Sequence, residues 1–238
     1  STTAMISTTT PWLKIGLLLI AAASVDASLS PPQPPVPPKQ QTGPSLFNRV
    51  SLTWVLAIID AVMTLCTVYA PTSAAAVSLC RRAPSSPTAL TIPGTLFVVA
   101  VASCVAGALL RKWCYVTLGR LFTFEVSIMP KHQLVVSGPY AWIRHPSYTG
   151  LHLTLVGVTV MLGARGSWAR ECGMLGWGST ADVLAWWFAG FWVVKCGFAV
   201  YSTMKRVRVE DGELRKTFGP AWEEYAKRVK FALVPWVF

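Results

Sequence analysis

The sequence predicts an all-α fold: a polytopic membrane bundle of about five spans, with a helical hairpin and a cytosolic amphipathic C-terminal helix. Three observations predict it. Of the 238 residues, 53% are hydrophobic and only 13% charged, with a mean hydropathy of +0.48, whereas a soluble domain carries about 25% charge. A span needs about 20 mostly apolar residues, and such runs fall at roughly 12–29, 50–70, 92–110, 148–163 and 182–204. Finally, 21 Lys and Arg against 10 Asp and Glu give a net charge of +11, and the cations collect, five in 111–145 and eight in 205–230. In so apolar a chain that excess points to the lipid bilayer and not to nucleic acid.

The first run is cleanly apolar only from Ile15 to Val25, with Lys14 before it and Ala27 after, so it reads as a span that also resembles a signal peptide. Residues 31–44, PPQPPVPPKQQTGP, form a linker, because their prolines remove amide donors and favour extended geometry. The N-terminal spans therefore occupy 1–110, and the polar segments and hairpin occupy 111–238. Short cytoplasmic loops keep Lys and Arg, so 111–145 and 205–230 are expected in the cytosol. The runs at 148–163 and 182–204 then leave the cytosol and return, and the N-terminus is lumenal, a placement that Lys14 opposes. Asp60 in the second run and Lys195 in the fifth are costly mid-membrane charges, expected to pair with each other. Several of the eleven Trp, among them Trp12, Trp54, Trp113, Trp168 and Trp177, stand near run ends at the headgroup level. The six Cys show no CxxC pair, so no metal site is expected. Cys80 and Cys172 fall on the lumenal side, which permits a disulfide. Nothing in the sequence sets the Cα distance such a bond requires.

Two polar stretches carry the chemistry. Residues 131–150, KHQLVVSGPYAWIRHPSYTG, place Gly138, Pro139, Pro146 and Gly150 among Tyr140, Trp142, Arg144, His145 and Tyr148, immediately before a span. Gly and Pro set backbone angles that let the main chain approach a ligand, rings can cover a cation, and Arg144 and His145 offer donors. The same features suit a turn that merely caps a helix. Residues 205–229, KRVRVEDGELRKTFGPAWEEYAKRV, repeat Val209, Leu214, Phe218, Trp222, Tyr225 and Val229 at helical spacing, with a break near Gly219-Pro220. Arg206, Arg208, Glu210 and Asp211 stand at its start. Taken alone, they read as a basic face attracted to anionic lipid.

Together the two stretches resemble the isoprenylcysteine carboxyl methyltransferase family and its phospholipid methyltransferase relatives. The family pattern is HxLV, then GxYxxxRHPxYxG before a membrane helix, then RxxxEE, FG and YxxY. Here it stands as His132-Gln133-Leu134-Val135, as Gly138-Pro139-Tyr140 with Arg144-His145-Pro146-Ser147-Tyr148-Thr149-Gly150, and as Arg206 with Glu210-Asp211, Phe218-Gly219 and Tyr225. Asp211 replaces the second Glu and Trp222 a Tyr. The resemblance covers about 111–235; the first 110 residues match only as hydrophobic spans.

The resemblance implies a membrane enzyme that uses S-adenosyl-L-methionine without a Rossmann sheet, and makes 111–238 its catalytic region. It assigns cofactor binding to His132, Gln133, Leu134, Val135, Tyr140, His145, Pro146, Ser147, Tyr148 and Glu210. Arg206 is the catalytic residue that binds the substrate carboxylate, with Arg144 as a second substrate-binding cation; Arg suits the task because its planar fork meets a carboxylate bidentately. The implied reaction is methyl esterification of the C-terminal carboxylate of prenylated cysteine, a step of CaaX processing, with the catalytic face cytosolic on the endoplasmic reticulum. A lipid amine N-methyltransferase needs an amine and a base and gains nothing from an Arg clamp. A membrane sterol or isoprenoid reductase would bind NADPH instead. A non-enzymatic scaffold would use both cationic segments only to hold lipid. Prenyl length, client proteins and oligomeric state are not legible.

Overall fold

A computed structural model describes residues 2–30, 47–80, 88–119, 133–173 and 180–233. The linker at 31–44, His132 and Trp177 lie outside them. The described residues form helices α1 (Thr2–Leu29), α2 (Phe47–Tyr69), α3 (Ala74–Leu79), α4 (Thr95–Leu118), α5 (Pro146–Gly163), α6 (Trp168–Glu171), α7 (Thr180–Phe218) and α8 (Pro220–Arg228), with a short 3-10 helix at Gly138–Ala141. No strand occurs among them. Five stretches are long and apolar enough to cross a membrane: Thr10–Leu29, Leu52–Tyr69, Thr95–Leu118, Pro146–Glu171 and Asp182–Phe218. The five expected spans are thus present, and the third and fifth extend well past their apolar runs. A helix continues while backbone bonds can be made, whatever lies around it, and at about 1.5 Å per residue the 39 residues of α7 outreach a hydrocarbon core of about 30 Å.

The core lies where α1, α4 and α5 meet, with Leu18, Ala21, Ala22, Val25, Phe97, Ala100, Val101, Cys104, Val158 and Met161 buried together. α4 and α5 approach until a Cβ on Gly107 would lie 2.5 Å from the Gly150 carbonyl oxygen, and one on Gly150 2.8 Å from that of Gly107. Only hydrogen fits at that crossing. Ser103 Oγ donates across it to the Leu153 carbonyl at 2.9 Å, and Thr154 Oγ1 ties α5 to α1 through Ser28 Oγ at 3.0 Å.

The expected pairing of Asp60 with Lys195 does not form. Lys14 takes that place: fully buried, its Nζ donates to Asp60 Oδ1 at 2.5 Å, Thr64 Oγ1 at 2.8 Å and the Leu90 carbonyl at 2.8 Å. All three ammonium donors are used, and the second Asp60 oxygen accepts from the Trp168 amide at 2.9 Å. The physical reason is adjacency: among the described residues α2 packs extensively on α1 and has no comparable contact with α7. Lys195 instead carries its Nζ 5.9 Å from the centre of the Phe191 ring. Close to the Lys14 node, Cys80 and Cys172 are joined in a disulfide with a Cα separation of 4.5 Å. The starts of α1 and α4 and the ends of α2 and α5 therefore lie at one end of the bundle.

At the other end α7 runs on to Phe218, turns at Gly219 with φ +50°, which a side chain would resist, and returns as α8. Trp222, Tyr225 and Val229 are buried there against Leu134, Val136, Leu214 and Phe218. The expected helix break at Gly219-Pro220 is found.

Candidate active site

The site grows from the loop before α5. After Gly138, at φ +61° against Thr117 and Trp113, one turn of 3-10 helix buries Pro139 and Tyr140. Pro146 then opens α5, where its missing N–H costs nothing and its fixed φ suits the first turn. The segment between is stapled to residues 229–233. The Arg144 amide donates to the Phe231 carbonyl at 3.0 Å, the His145 amide to that of Ala232 at 2.9 Å, and Thr149 Oγ1 to that of Leu233 at 2.5 Å. These bonds give partners to two amides just ahead of the α5 start and to one hydroxyl in its first turn.

On this scaffold the two polar stretches meet. Tyr148 Oη donates to Glu210 Oε1 at 2.5 Å. The His145 ring lies between two carboxylates, Nε2 at 2.9 Å from Asp211 Oδ1 and Nδ1 at 3.3 Å from Glu210 Oε2. Arg144 Nη2 stands 3.4 Å from Asp211 Oδ2, while Nη1 donates to the carbonyls of Val229 and Lys230 at 2.9 and 3.0 Å. Arg206 is half-buried on the same stretch of α7, and its charge acts on the Tyr148 hydroxyl. Tyr140 is buried, and its carbonyl accepts from Tyr225 Oη at 2.8 Å. Ser147 accepts twice, at its carbonyl and its hydroxyl, from Arg111 Nη1 at 3.1 and 3.2 Å. Gln133 is exposed, Val135 is half-buried, and Leu134 packs on the Trp222 cluster.

Burial opposes a charge on the His145 imidazole, but hydrogen bonds and charge from Asp211 and Glu210 outweigh it, so His145 titrates above its ordinary value. Burial, with Cys114 beside it, raises the Tyr140 phenol. Tyr225 is pushed up to about 12, again chiefly by burial. Both phenols are neutral donors at physiological pH.

Two participants escape a reading of motifs, and a third is only partly legible. Arg111 counts in the sequence as one more cation after a span; in the structure it is buried and braces Ser147. Its only signal is its place four residues before Tyr115, whose ring it faces at 5.3 Å. Cys114 reaches Tyr140 from one helical turn below. Asp211, legible only as a partial match, binds both Arg144 and His145.

The donor set suits a sulfonium cofactor that also carries an amino acid group and a nucleoside. The Glu210 and Asp211 side chains, 25% and 19% exposed, offer negative charge, and Tyr148 and His145, stacked at 5.9 Å between ring centres, offer faces. Among the described residues, Arg111 Nε, Arg144 Nε and Trp222 Nε1 are buried donors with no hydrogen-bond partner, and the first two belong to side chains that touch Ser147 and Asp211.

Residues 98–169 match the sequence model of the isoprenylcysteine carboxyl methyltransferase family. A probable protein-S-isoprenylcysteine O-methyltransferase of Oryza sativa subsp. indica is 32% identical over 137 residues, 57% of this chain and 59% of that protein. Protein-S-isoprenylcysteine O-methyltransferase B of Arabidopsis thaliana is 34% identical over 127 residues, 52% of each chain. Protein-S-isoprenylcysteine O-methyltransferase of Homo sapiens is 42% identical over 75 residues, 31% of this chain and 24% of that protein. The chain thus spans little more than half the length of the plant relatives that it matches. The resemblance carried by the motifs is borne out by these matches: residues 98–169, which include the loop at 138–150, are similar to the isoprenylcysteine carboxyl methyltransferase family.

Proposed function

We propose that this chain transfers a methyl group from S-adenosyl-L-methionine to the C-terminal carboxylate of a prenylated cysteine, with residues 111–238 as its catalytic region and its catalytic face towards the cytosol at the endoplasmic reticulum. The observation that carries the reading is the meeting of Tyr148 and His145 with Glu210 and Asp211, which joins the two motif stretches that lie about sixty residues apart in the chain. Tyr140, the start of α5 from His145 to Tyr148, and Glu210 are assigned to the cofactor. When bound, it supplies an electrophilic methyl group, which a carboxylate oxygen accepts as the C–S bond breaks and the sulfonium becomes a neutral thioether.

The chain's own task is positioning. A carboxylate is deprotonated near neutral pH, so no side chain need serve as a general base. Arg206 holds the substrate carboxylate by charge and fork geometry. Asp211 keeps Arg144 and His145 in place, and Arg144 in turn fixes residues 229–230 over the loop. Such pre-set geometry supplies much of the barrier reduction in a reaction between two bound partners.

Membranes containing the chain, given S-adenosyl-L-methionine labelled in its methyl group and N-acetyl-S-farnesylcysteine, should form a base-labile labelled ester. Label found only in base-stable lipid amines would overturn the assignment in favour of N-methylation.

A further inference from the structure

Over its apolar half α7 stands off the bundle. None of the described residues 182–202 is buried; burial begins at Thr203 and Val207. α5 and α7 meet chiefly through three polar rungs, with Cys196 Sγ also 3.9 Å from Thr159 Oγ1 and Trp192 packed against the core cluster. The first is Tyr148 with Glu210, the second His152 Nε2 with Thr203 Oγ1 at 2.8 Å, and the third Trp192 Nε1 donating to Thr159 Oγ1 at 3.0 Å. The middle rung is absent from the motifs and has no part in the mechanism above.

Thr203 Oγ1 lies 2.9 Å from the carbonyls of both Ala199 and Val200, which offer its hydroxyl hydrogen two acceptors. With that hydrogen on a carbonyl, the Thr203 oxygen accepts from His152, an arrangement that places the imidazole hydrogen on Nε2 and leaves Nδ1 a lone-pair acceptor. No described residue bonds to that nitrogen. A neutral acceptor is thus carried by the half-buried His152 beside the slot between α5 and α7. It lies four residues, about 6 Å, along α5 from Tyr148. Across the slot, Arg206 falls between the first and second rungs, three residues after Thr203.

We propose that His152 Nδ1 accepts the backbone amide N–H of the prenylated cysteine, with Thr203 as the positioning residue that sets its tautomer. The proposal rests on the carboxylate reading above. In a C-terminal cysteine the amide nitrogen is two bonds from the carboxylate carbon, about 2.5 Å away. A carboxylate at Arg206 therefore brings that N–H to the neighbouring rung. The prenyl chain then runs on towards the Trp192 rung, along the part of α7 that the bundle leaves open. An N–H in that slot without an acceptor would lose its hydrogen bonding to water, so the site discriminates against any substrate position that lacks His152.

The test compares N-acetyl-S-farnesylcysteine with S-farnesylthiopropionic acid, which keeps the chain and the carboxylate but lacks the amide. The readout is the ratio of their kcat/KM values, which does not depend on the fraction of protein folded. The wild-type chain should favour the amide substrate, through KM more than kcat. His152→Phe, which keeps a ring without nitrogen, should lower the ratio roughly three- to tenfold, as expected for one neutral hydrogen bond. His152→Asn, whose carbonyl oxygen falls near the place of Nδ1, should restore most of it. An unchanged ratio in His152→Phe, equal loss on both substrates, or a wild-type chain indifferent to the amide overturns the subsite while leaving carboxylate methylation standing. Methylation of neither compound by the wild-type chain overturns both.

Discussion

Replacing Lys14 by Met removes the cation bonded to Asp60 while nearly preserving side-chain volume. Asp60 would keep the Trp168 amide on one oxygen and lose the ammonium on the other, and the Leu90 carbonyl would lose the donor that reaches it from Lys14. Removing one partner of a buried pair costs about 3–5 kcal/mol, because a charge stays behind without compensation. Asp60→Asn combined with Lys14→Met removes both charges and keeps an acceptor for Trp168, so most of that loss should return. Lys195→Met, which forfeits only a ring contact with Phe191, should cost under about 1 kcal/mol. Titration with sodium dodecyl sulfate in mixed micelles can measure all four proteins, read by the reactivity of Cys104 and Cys114, which are buried and free in the folded chain. The double variant should retain methyl transfer, since the node is at the opposite end of the bundle from Glu210. A Lys14→Met cost within about 1 kcal/mol of zero, or a Lys195→Met cost as large as that of Lys14→Met, would refute the reasoning.

Arg206→Ala should lower methyl transfer at least roughly tenfold, the value of a charged hydrogen bond, with S-adenosyl-L-methionine affinity by calorimetry nearly intact; equal weakening of both would show the guanidinium to serve the cofactor. Glu210→Gln should do the reverse, raising the cofactor Kd roughly tenfold, and Asp211→Asn should weaken the cofactor less while lowering stability, because it releases Arg144 and His145. For His145, the fold favours the protonated ring. Its contribution is full below the ordinary value of about 6.5 and declines as pH rises through the raised value in the folded chain. Unfolding midpoints between pH 6 and 9 should therefore fall more steeply in the wild-type chain than in His145→Gln, and parallel curves would count against the bridge to Glu210 and Asp211.

What could be read in the sequence divides along physical lines. Spans were legible because the cost of exposing polar backbone to lipid is local and additive, so hydropathy alone located α1, α2, α4, α5 and α7. The ends of α4 and α7 were not, since helical hydrogen bonding does not stop where hydrocarbon does. The loop at 138–150 announced itself through Gly and Pro at fixed spacing, and the structure does bring it against Glu210 and Asp211. The partner of Asp60 was misread because a pairing between spans depends on which helices are neighbours and how each is rotated. Lys14, read only as a flanking cation that opposes a lumenal N-terminus, is instead the most enclosed charge described. Cys80 with Cys172 was permitted by compartment and decided only by the 4.5 Å approach of their Cα atoms.

The two ends of the bundle bear on how a lipid-linked substrate reaches the site. At one end Lys14, Asp60, the Leu90 carbonyl, the Trp168 amide and the Cys80–Cys172 disulfide tie α1, α2, α6 and the segment before α4 into one unit. At the other, Arg144, His145 and Thr149 tie the loop to residues 229–233. Both sets of bonds leave the apolar half of α7 out; it is held to α5 mainly by Thr159, Trp192 and Cys196. If the chain acts on a prenylated cysteine as proposed, the prenyl chain would enter from lipid where the fewest internal contacts must be given up, between α5 and α7. Its carboxylate would then reach Arg206 by lateral movement within the bilayer, without crossing water.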